Sequence, residues 1–238
     1  MQLTRAASAP AGPAAATTAR APLWIKICGL RTREAIDAAV ESEASAIGFV
    51  FHAASPRNLD PAAAAELSRA VPAGIDRVAV FLHPSQSLVN QVLETVTPDW
   101  VQMDAEDLAG LALPVGQRVL PVLRTGGQRF ASGLSATDAC ETARLPARCL
   151  LESARSGSGE RADWCEAARL ARATELVLAG GLDPGNVADA VRAVRPFGVD
   201  VSSGVERERG VKDLARIREF VRAAREAARA LPFEESPK

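Results

Sequence analysis

Histidine and cysteine are scarce in this chain. There are two histidines, His52 and His83, and four cysteines, Cys28, Cys140, Cys149 and Cys165. No two cysteines stand in CxxC spacing and none neighbours a histidine, so no metal site is expected. Four cysteines over 238 residues also make no disulfide framework, which favours a reducing cytoplasm. Long apolar runs are missing too: none approaches the roughly 20 residues that a membrane span requires. Lysine is nearly absent, since only Lys26, Lys212 and Lys238 stand among 28 basic residues. That bias, like the alanine load, reads as the codon usage of a GC-rich genome and not as an arginine-built binding surface. With a formal net charge of −1, neither nucleic acid nor an anionic membrane is expected as a partner.

What is present is core. The hydrophobic fraction is 47%, ample for one large domain. Residues 1–22 stand apart, rich in Ala, Pro, Ser and Thr, with Arg5 and Arg20 and no acid. They carry no apolar h-region and no periodicity, so they read as a disordered leader, with a transit peptide as the alternative. Residues 23–230 repeat a short β-branched apolar run, a turn, and a segment with apolar residues at i, i+3, i+4 spacing. Strands are expected at Trp24–Cys28, Ala46–Phe51, Arg77–Leu82, Trp100–Met103, Arg118–Leu123, Arg148–Glu152, Leu176–Ala179 and Phe197–Val201. Helices are expected at Thr32–Glu43, Asp60–Val71, Ser85–Val96, Ser135–Arg144, Ala162–Arg172, Pro184–Val194 and Asp213–Ala228, with a single turn within Leu108–Leu113. Residues 231–238 form a tail. Strands that read as continuous apolar runs are buried on both faces, as in parallel sheets. Eight of them in alternation give a closed (β/α)8 barrel; the doubly wound alternative lacks its GxGxxG turn after the first strand, which reads Cys28-Gly29-Leu30-Arg31.

In such a barrel the chemistry sits at the C-terminal strand ends, and polar residues gather there. The first strand ends on Cys28, either an inert buried thiol or a general base. The second leads to His52 and Ser55-Pro56-Arg57, where Arg57 can pair with a carboxylate ligand or form a surface salt bridge. The third ends near His83, and the fourth carries Gln102 and Asp104. The sixth ends on Glu152, a rim group or a general acid, before the glycine–serine loop Ser156–Gly159. The seventh gives Gly180-Gly181, and the eighth gives Asp200 and Ser202-Ser203-Gly204. Glycine-rich turns let backbone N–H groups approach an anion, and barrels often bind phosphate after strands seven and eight. A phosphorylated sugar is the expected ligand.

Taken in order, Lys26-Ile27-Cys28-Gly29-Leu30, Gly48-Phe49-Val50-Phe51, Ser55-Pro56-Arg57, Val101-Gln102, Leu178-Ala179-Gly180-Gly181-Leu182 with Pro184 and Asn186, Val199 through Glu206, and Gly210-Val211-Lys212-Asp213 resemble the phosphoribosylanthranilate isomerase family of tryptophan biosynthesis. The resemblance spans Trp24 to about Ala228. It implies an Amadori rearrangement of an aminoaldose to an aminoketose, without cofactor. Cys28 matches the base that takes the C2′ proton, Arg57 the arginine at the anthranilate carboxylate, and Asp200 the aspartate near the anthranilate amine. Gly180, Gly181, Ser202, Ser203 and Gly204 match the phosphate site. Three places depart from the family pattern. Glu152 stands where the family's acid is an aspartate, Met103-Asp104-Ala105 replaces a Leu-His-Gly pattern, and the loop before Arg57 has lost a lysine. These departures leave two alternatives: a diverged paralogue acting on another phosphorylated aminosugar, and a non-catalytic phosphoribosyl-binding barrel.

Overall fold

The computed structural model describes residues 21–125, 145–153 and 162–232. The leader residues 1–20, the helix expected at Ser135–Arg144 with Cys140, the Ser156–Gly159 loop and residues 233–238 lie outside the described residues. Eight parallel strands close into a barrel in sequence order. They are β1 (Trp24–Cys28), β2 (Ala46–Phe51), β3 (Asp76–Phe81), β4 (Trp100–Asp104), β5 (Arg118–Arg124), β6 (Arg148–Glu152), β7 (Glu175–Leu178) and β8 (Gly198–Val201). Around them run α1 (Arg33–Glu41), α2 (Pro61–Ser68), α3 (Gln86–Val96), the short α4 (Ala105–Leu108), α5 (Trp164–Leu170), α6 (Val187–Val194) and α7 (Leu214–Arg229). No helix among the described residues is long and apolar enough to cross a membrane.

Several helices start later than their periodicity suggests because a cap residue holds the first position in extended conformation. Thr32, Asp60, Ser85, Asp163 and Asp213 each accept from backbone N–H groups of the first turn, satisfying donors that have no partner inside the helix. Helix α6 begins at Val187 and not Pro184 for a different reason. The Asn186 amide is used in the loop, accepting from Asp183 N at 2.9 Å and donating to Gly181 O at 2.8 Å. In the fourth unit the single turn lies at Ala105–Leu108, directly after the strand. A hairpin that periodicity did not foretell, β9 (Glu206–Glu208) with β10 (Val211–Lys212), follows a 3-10 turn at Ser203–Val205.

Alternate residues of each strand face outward to the helices or inward to the lumen. Outward Ile25, Ile27, Ile47, Phe49, Phe51, Met103, Leu151, Leu178 and Val199 join the helix faces in the main core. Burying each side chain of this size is worth about 1.5–3 kcal/mol. Inward residues form a second cluster of Trp24, Ala46, Val78, Leu120, Val122, Leu150, Val177 and Ala179. This plug divides the lumen. Below it, at the strand starts, the Arg148 guanidinium lies 4.0 Å from the Phe197 ring centroid and 4.8 Å from that of Trp100, and Arg118 lies 4.7 Å from Trp100. Arg148 pairs with Glu175 at 2.8 Å and Arg118 with Asp76 at 3.1 Å. Outside this lower end a cavity of about 1010 Å³ is lined by Ala21, Pro22, Leu231 and Pro232 among others. Above the plug most inward residues are polar, with Gly48 and Val50 of β2 as the apolar side.

Candidate active site

The upper lumen follows from strand parity. Lys26 and Cys28 are inward on β1, Gln102 and Asp104 on β4, Arg124 on β5, Glu152 on β6 and Asp200 on β8. Strands β4 and β5 each run one residue beyond the expected end, and that residue brings Asp104 and Arg124 into the lumen. Register puts Cys28 beside Gly48, Lys26 beside Asp200, and Arg124 beside Glu152.

Cys28 is buried. Burial pushes its thiol pKa up, Asp200 pushes the same way, and the ammonium groups of Lys26 and Lys212 pull it down; the net shift is upward. Lys26 is wholly buried, with its Nζ 2.9 Å from Asp200 Oδ1. Burial works against its charge, but Asp200 and Cys28 outweigh that and raise its pKa. Gly48 makes room for both side chains. A Cβ there would stand 3.0 Å from Cys28 Sγ and 3.0 Å from Lys26 Cε. Ser202 Oγ donates to the Cys28 carbonyl at 3.2 Å.

Across the lumen, Arg124 bridges two carboxylates. Its Nη2 donates to Asp104 Oδ1 at 2.7 Å, and its Nη1 lies 3.7 Å from Glu152 Oε2. Asp104 thus faces the lumen and not a neighbouring helix. Gln102 stands between the two groups with Oε1 buried and without a hydrogen-bond donor among the described residues.

Arg57 is neither exposed nor in a surface pair. Its Nε and Nη2 donate to Glu206 at 2.7 and 2.9 Å, and all three groups of the Arg57–Glu206–Lys212 cluster are buried. Lys212 Nζ reaches Glu206 Oε1 at 2.9 Å and the Ser202 carbonyl at 2.8 Å. Burial works against the Glu206 charge, yet Arg57 and Lys212 overcome it and hold its carboxyl at about 2. For Lys212 the balance reverses: burial outweighs Glu206 and lowers its pKa. Among the described residues the Nη1 group of Arg57 has no hydrogen-bond acceptor.

The loops after β7 and β8 meet above this cluster. Gly180 and Gly181 have φ of 81° and 64°, a left-handed backbone that disfavours any side chain. A Cβ on Gly204 would overlap the Leu182 carbonyl oxygen. The N–H groups of Gly181, Ser203 and Gly204 have no acceptor among the described residues. Three such donors in two adjoining loops form a cradle with the geometry that suits an anion.

His83 is at the rim, not in the lumen. Its Nδ1 lies 2.9 Å from Asp107 Oδ1. Ligand atoms of His83, Asp104 and Asp107 come within 4.8 Å of one another. Each is already occupied, however: Asp107 by His83, and Asp104 by the Arg124 cation, which opposes a metal ion. The structure therefore gathers Cys28, Gln102, Asp104, Glu152 and Asp200 around one lumen, with Arg57 and both glycine loops at its edge. Sequence reading missed Arg124, because the expected strand stopped one residue short. Lys26, Lys212 and Glu206 stand in the sequence only as parts of its motifs, although a lysine inside an apolar strand is itself a signal.

A family model described as N-(5′-phosphoribosyl)anthranilate isomerase matches residues 25–223. The N-(5′-phosphoribosyl)anthranilate isomerase of Bordetella pertussis is 42% identical over 205 residues, covering 84% of this chain and 94% of that protein. The enzyme of the same description from Pelobacter propionicus is 38% identical over 202 residues, covering 85% and 95%. Among solved structures, TrpF from Jonesia denitrificans superposes with a TM-score of 0.70 at 35% identity, over 87% of this chain and 98% of that one. A phosphoribosyl anthranilate isomerase in complex with reduced 1-(o-carboxyphenylamino)-1-deoxyribulose 5-phosphate superposes with a TM-score of 0.67 at 30% identity, over 85% and 98%.

Proposed function

The chain belongs to the N-(5′-phosphoribosyl)anthranilate isomerase family, and we propose that Cys28 and Glu152 are the base and the acid with which it works. It is an isomerase of tryptophan biosynthesis, converting N-(5′-phosphoribosyl)anthranilate to 1-(o-carboxyphenylamino)-1-deoxyribulose 5-phosphate. The observation that carries the assignment of roles is that a thiol and a carboxyl group end two strands of one lumen, beside a cradle of unsatisfied N–H groups.

The N–H groups of Gly181, Ser203 and Gly204 hold the substrate phosphate, which fixes the ribose over the lumen. Glu152 protonates the furanose oxygen, and the anthranilate nitrogen pushes the ring open to an iminium. The iminium acidifies the C2′ hydrogen, and the Cys28 thiolate removes it. The resulting enamine-enol tautomerises to the ketone, and the proton inventory of the two groups is restored through solvent. Arg57 meets the anthranilate carboxylate through the donors that Glu206 leaves unused. Asp200 faces the amine that becomes cationic, and Gln102 supplies its Oε1 to a ligand hydroxyl. Glu152 is one methylene longer than an aspartate, and Arg124 limits where that extra length can put it. This matters because a misplacement of about 1 Å can cost about 10²-fold in rate. The described cysteines are all free thiols, which supports a reducing, cytoplasmic setting.

Loss of anthranilate fluorescence as the substrate is consumed measures the reaction directly. Cys28→Ala is expected to lower kcat by about 10³-fold while phosphate-anchored binding persists. Full turnover by that variant would remove Cys28 from the mechanism.

A further inference from the structure

Lys26 is an uneconomical residue for its position. It is 0% exposed, on the inward face of a barrel strand, where an aliphatic side chain would cost nothing in desolvation. Its ammonium has two neighbours of different character. One is Asp200 Oδ1 on β8 at 2.9 Å. The other is the Cys28 thiol two residues along the same strand, on the same face and close enough to interact with the ammonium. Gly48 on β2 keeps the space between them open; a Cβ there would crowd the lysine stem and the sulfur equally. The remaining charges around the sulfur are arranged differently. Lys212 is committed to Glu206 and the Ser202 carbonyl, Arg57 is committed to Glu206, and Arg124 and Asp104 face Glu152 across the lumen. Lys26 alone joins the thiol to a carboxylate that substrate can claim.

We propose that Lys26 is the positioning residue of the base: its ammonium is divided between Asp200 and Cys28, and it turns to the sulfur when the substrate's nitrogen engages Asp200. This rests on the reading of Cys28 as base. In the free enzyme Asp200 holds Lys26, and Cys28 stays a thiol. As the bound amine becomes an iminium, its positive charge satisfies Asp200, and the lysine charge is left to the sulfur. The thiol proton passes to water, the thiolate takes the C2′ proton, and the thiol is regenerated. Ring opening and the readiness of the base are thereby coupled through one carboxylate, so the thiolate is made where and when an acidic C2′ hydrogen exists.

The experiment uses iodoacetamide alkylation of Cys28, followed as a function of pH by peptide mass spectrometry, because the exposed Cys165 reacts in the same sample. Lys26→Met is expected to slow alkylation at pH 8 about tenfold and to move the ascending, acid-side limb of kcat/KM upward by about one pH unit. Asp200→Asn, which frees the lysine, is expected to speed alkylation about tenfold. A structural role alone would loosen the lumen and move both variants in the same direction; that outcome overturns the proposal. Should Lys26→Met fail to fold around its orphaned carboxylate, the double variant Lys26→Met/Asp200→Asn has no unpaired charge. It is expected to alkylate as slowly as the thiol without its cation, and wild-type reactivity would overturn the proposal. Cys28→Ala separates the two ideas. Turnover retained there removes the base itself, whereas turnover lost there with alkylation indifferent to Lys26 and Asp200 removes only the lysine's role.

Discussion

The two ends of the barrel lumen are built from the same residue types and put them to opposite uses. At the lower end Arg148 and Arg118 pair with Glu175 and Asp76 and stack against Phe197 and Trp100. The Glu175 and Arg118 side chains are each about half exposed, so water shares the cost of the charge. At the upper end the Lys26, Arg124 and Lys212 side chains are 0%, 10% and 4% exposed. A buried ion pair is poor value as a source of stability, because desolvation offsets the attraction. The lower charges therefore help to close the barrel, and the upper ones are those the proposed chemistry uses, at a cost to the fold. Most of these partners lie on neighbouring strands, and Arg118 on β5 reaches past β4 to Asp76 on β3. Burial, and not the pairing itself, separates the two roles.

If that division is correct, substitutions at the two ends should separate activity from stability. The largest effect is expected for Glu152→Gln, which keeps the shape and the hydrogen bonding but cannot give up a proton. Steady-state fluorescence should show kcat down by about 10²–10⁴-fold with the thermal midpoint little changed; retained activity would place the acid elsewhere. Glu206→Gln should follow, because it strands Arg57 and Lys212 in the interior. Urea unfolding should register a loss of about 3–5 kcal/mol. The sign of its pH dependence is fixed by a carboxyl held at about 2 in the fold against an ordinary value of 4.5. Its contribution is complete above pH 4.5 and is lost as pH falls from there towards 2, so wild type and variant should converge in acid. Arg148→Met at the lower end should cost about 1–2 kcal/mol through lost ring and carboxylate contacts while kcat/KM stays within about twofold. A large catalytic defect there would break the comparison. The smallest effect belongs to His83→Ala. Asp107 raises the His83 pKa, so the latch it makes is complete below pH 6.5 and fades as pH rises through the raised value. A small gap in thermal midpoint at pH 6 should vanish at alkaline pH.

The barrel itself was legible because eight buried strands leave apolar runs that only burial on both faces explains. Cys28, Glu152 and Asp200 were legible because each puts, at or one residue before the end of a strand, a group that an apolar lumen would otherwise reject. Two kinds of information were not. Arg124 was invisible because periodicity fixes strand ends only to within a residue or two, and one residue decides whether a side chain belongs to a rim loop or to the lumen. The Arg57–Glu206 pair was invisible because the partners are far apart in sequence and meet through a hairpin, Glu206–Lys212, whose charged residues carry no strand signal of their own. The glycine loops pointed to an anion site from composition, but the reason Gly204 must be glycine, the Leu182 carbonyl beside it, belongs to tertiary packing.

The cavity below the barrel is lined by residues from both ends of the described chain, Ala21 and Pro22 from one and Leu231 and Pro232 from the other. The barrel is thus a ring whose covalent opening lies at one spot beneath the seam between its first and last strands. That seam is no weaker for having no peptide link across it. Trp24, Ile25, Lys26 and Ile27 are in register with Gly198, Val199, Asp200 and Val201, and the Lys26–Asp200 pair straddles the join. The finished ring holds Lys26 and Asp200 together across the one seam between strands that the described chain does not bridge in sequence.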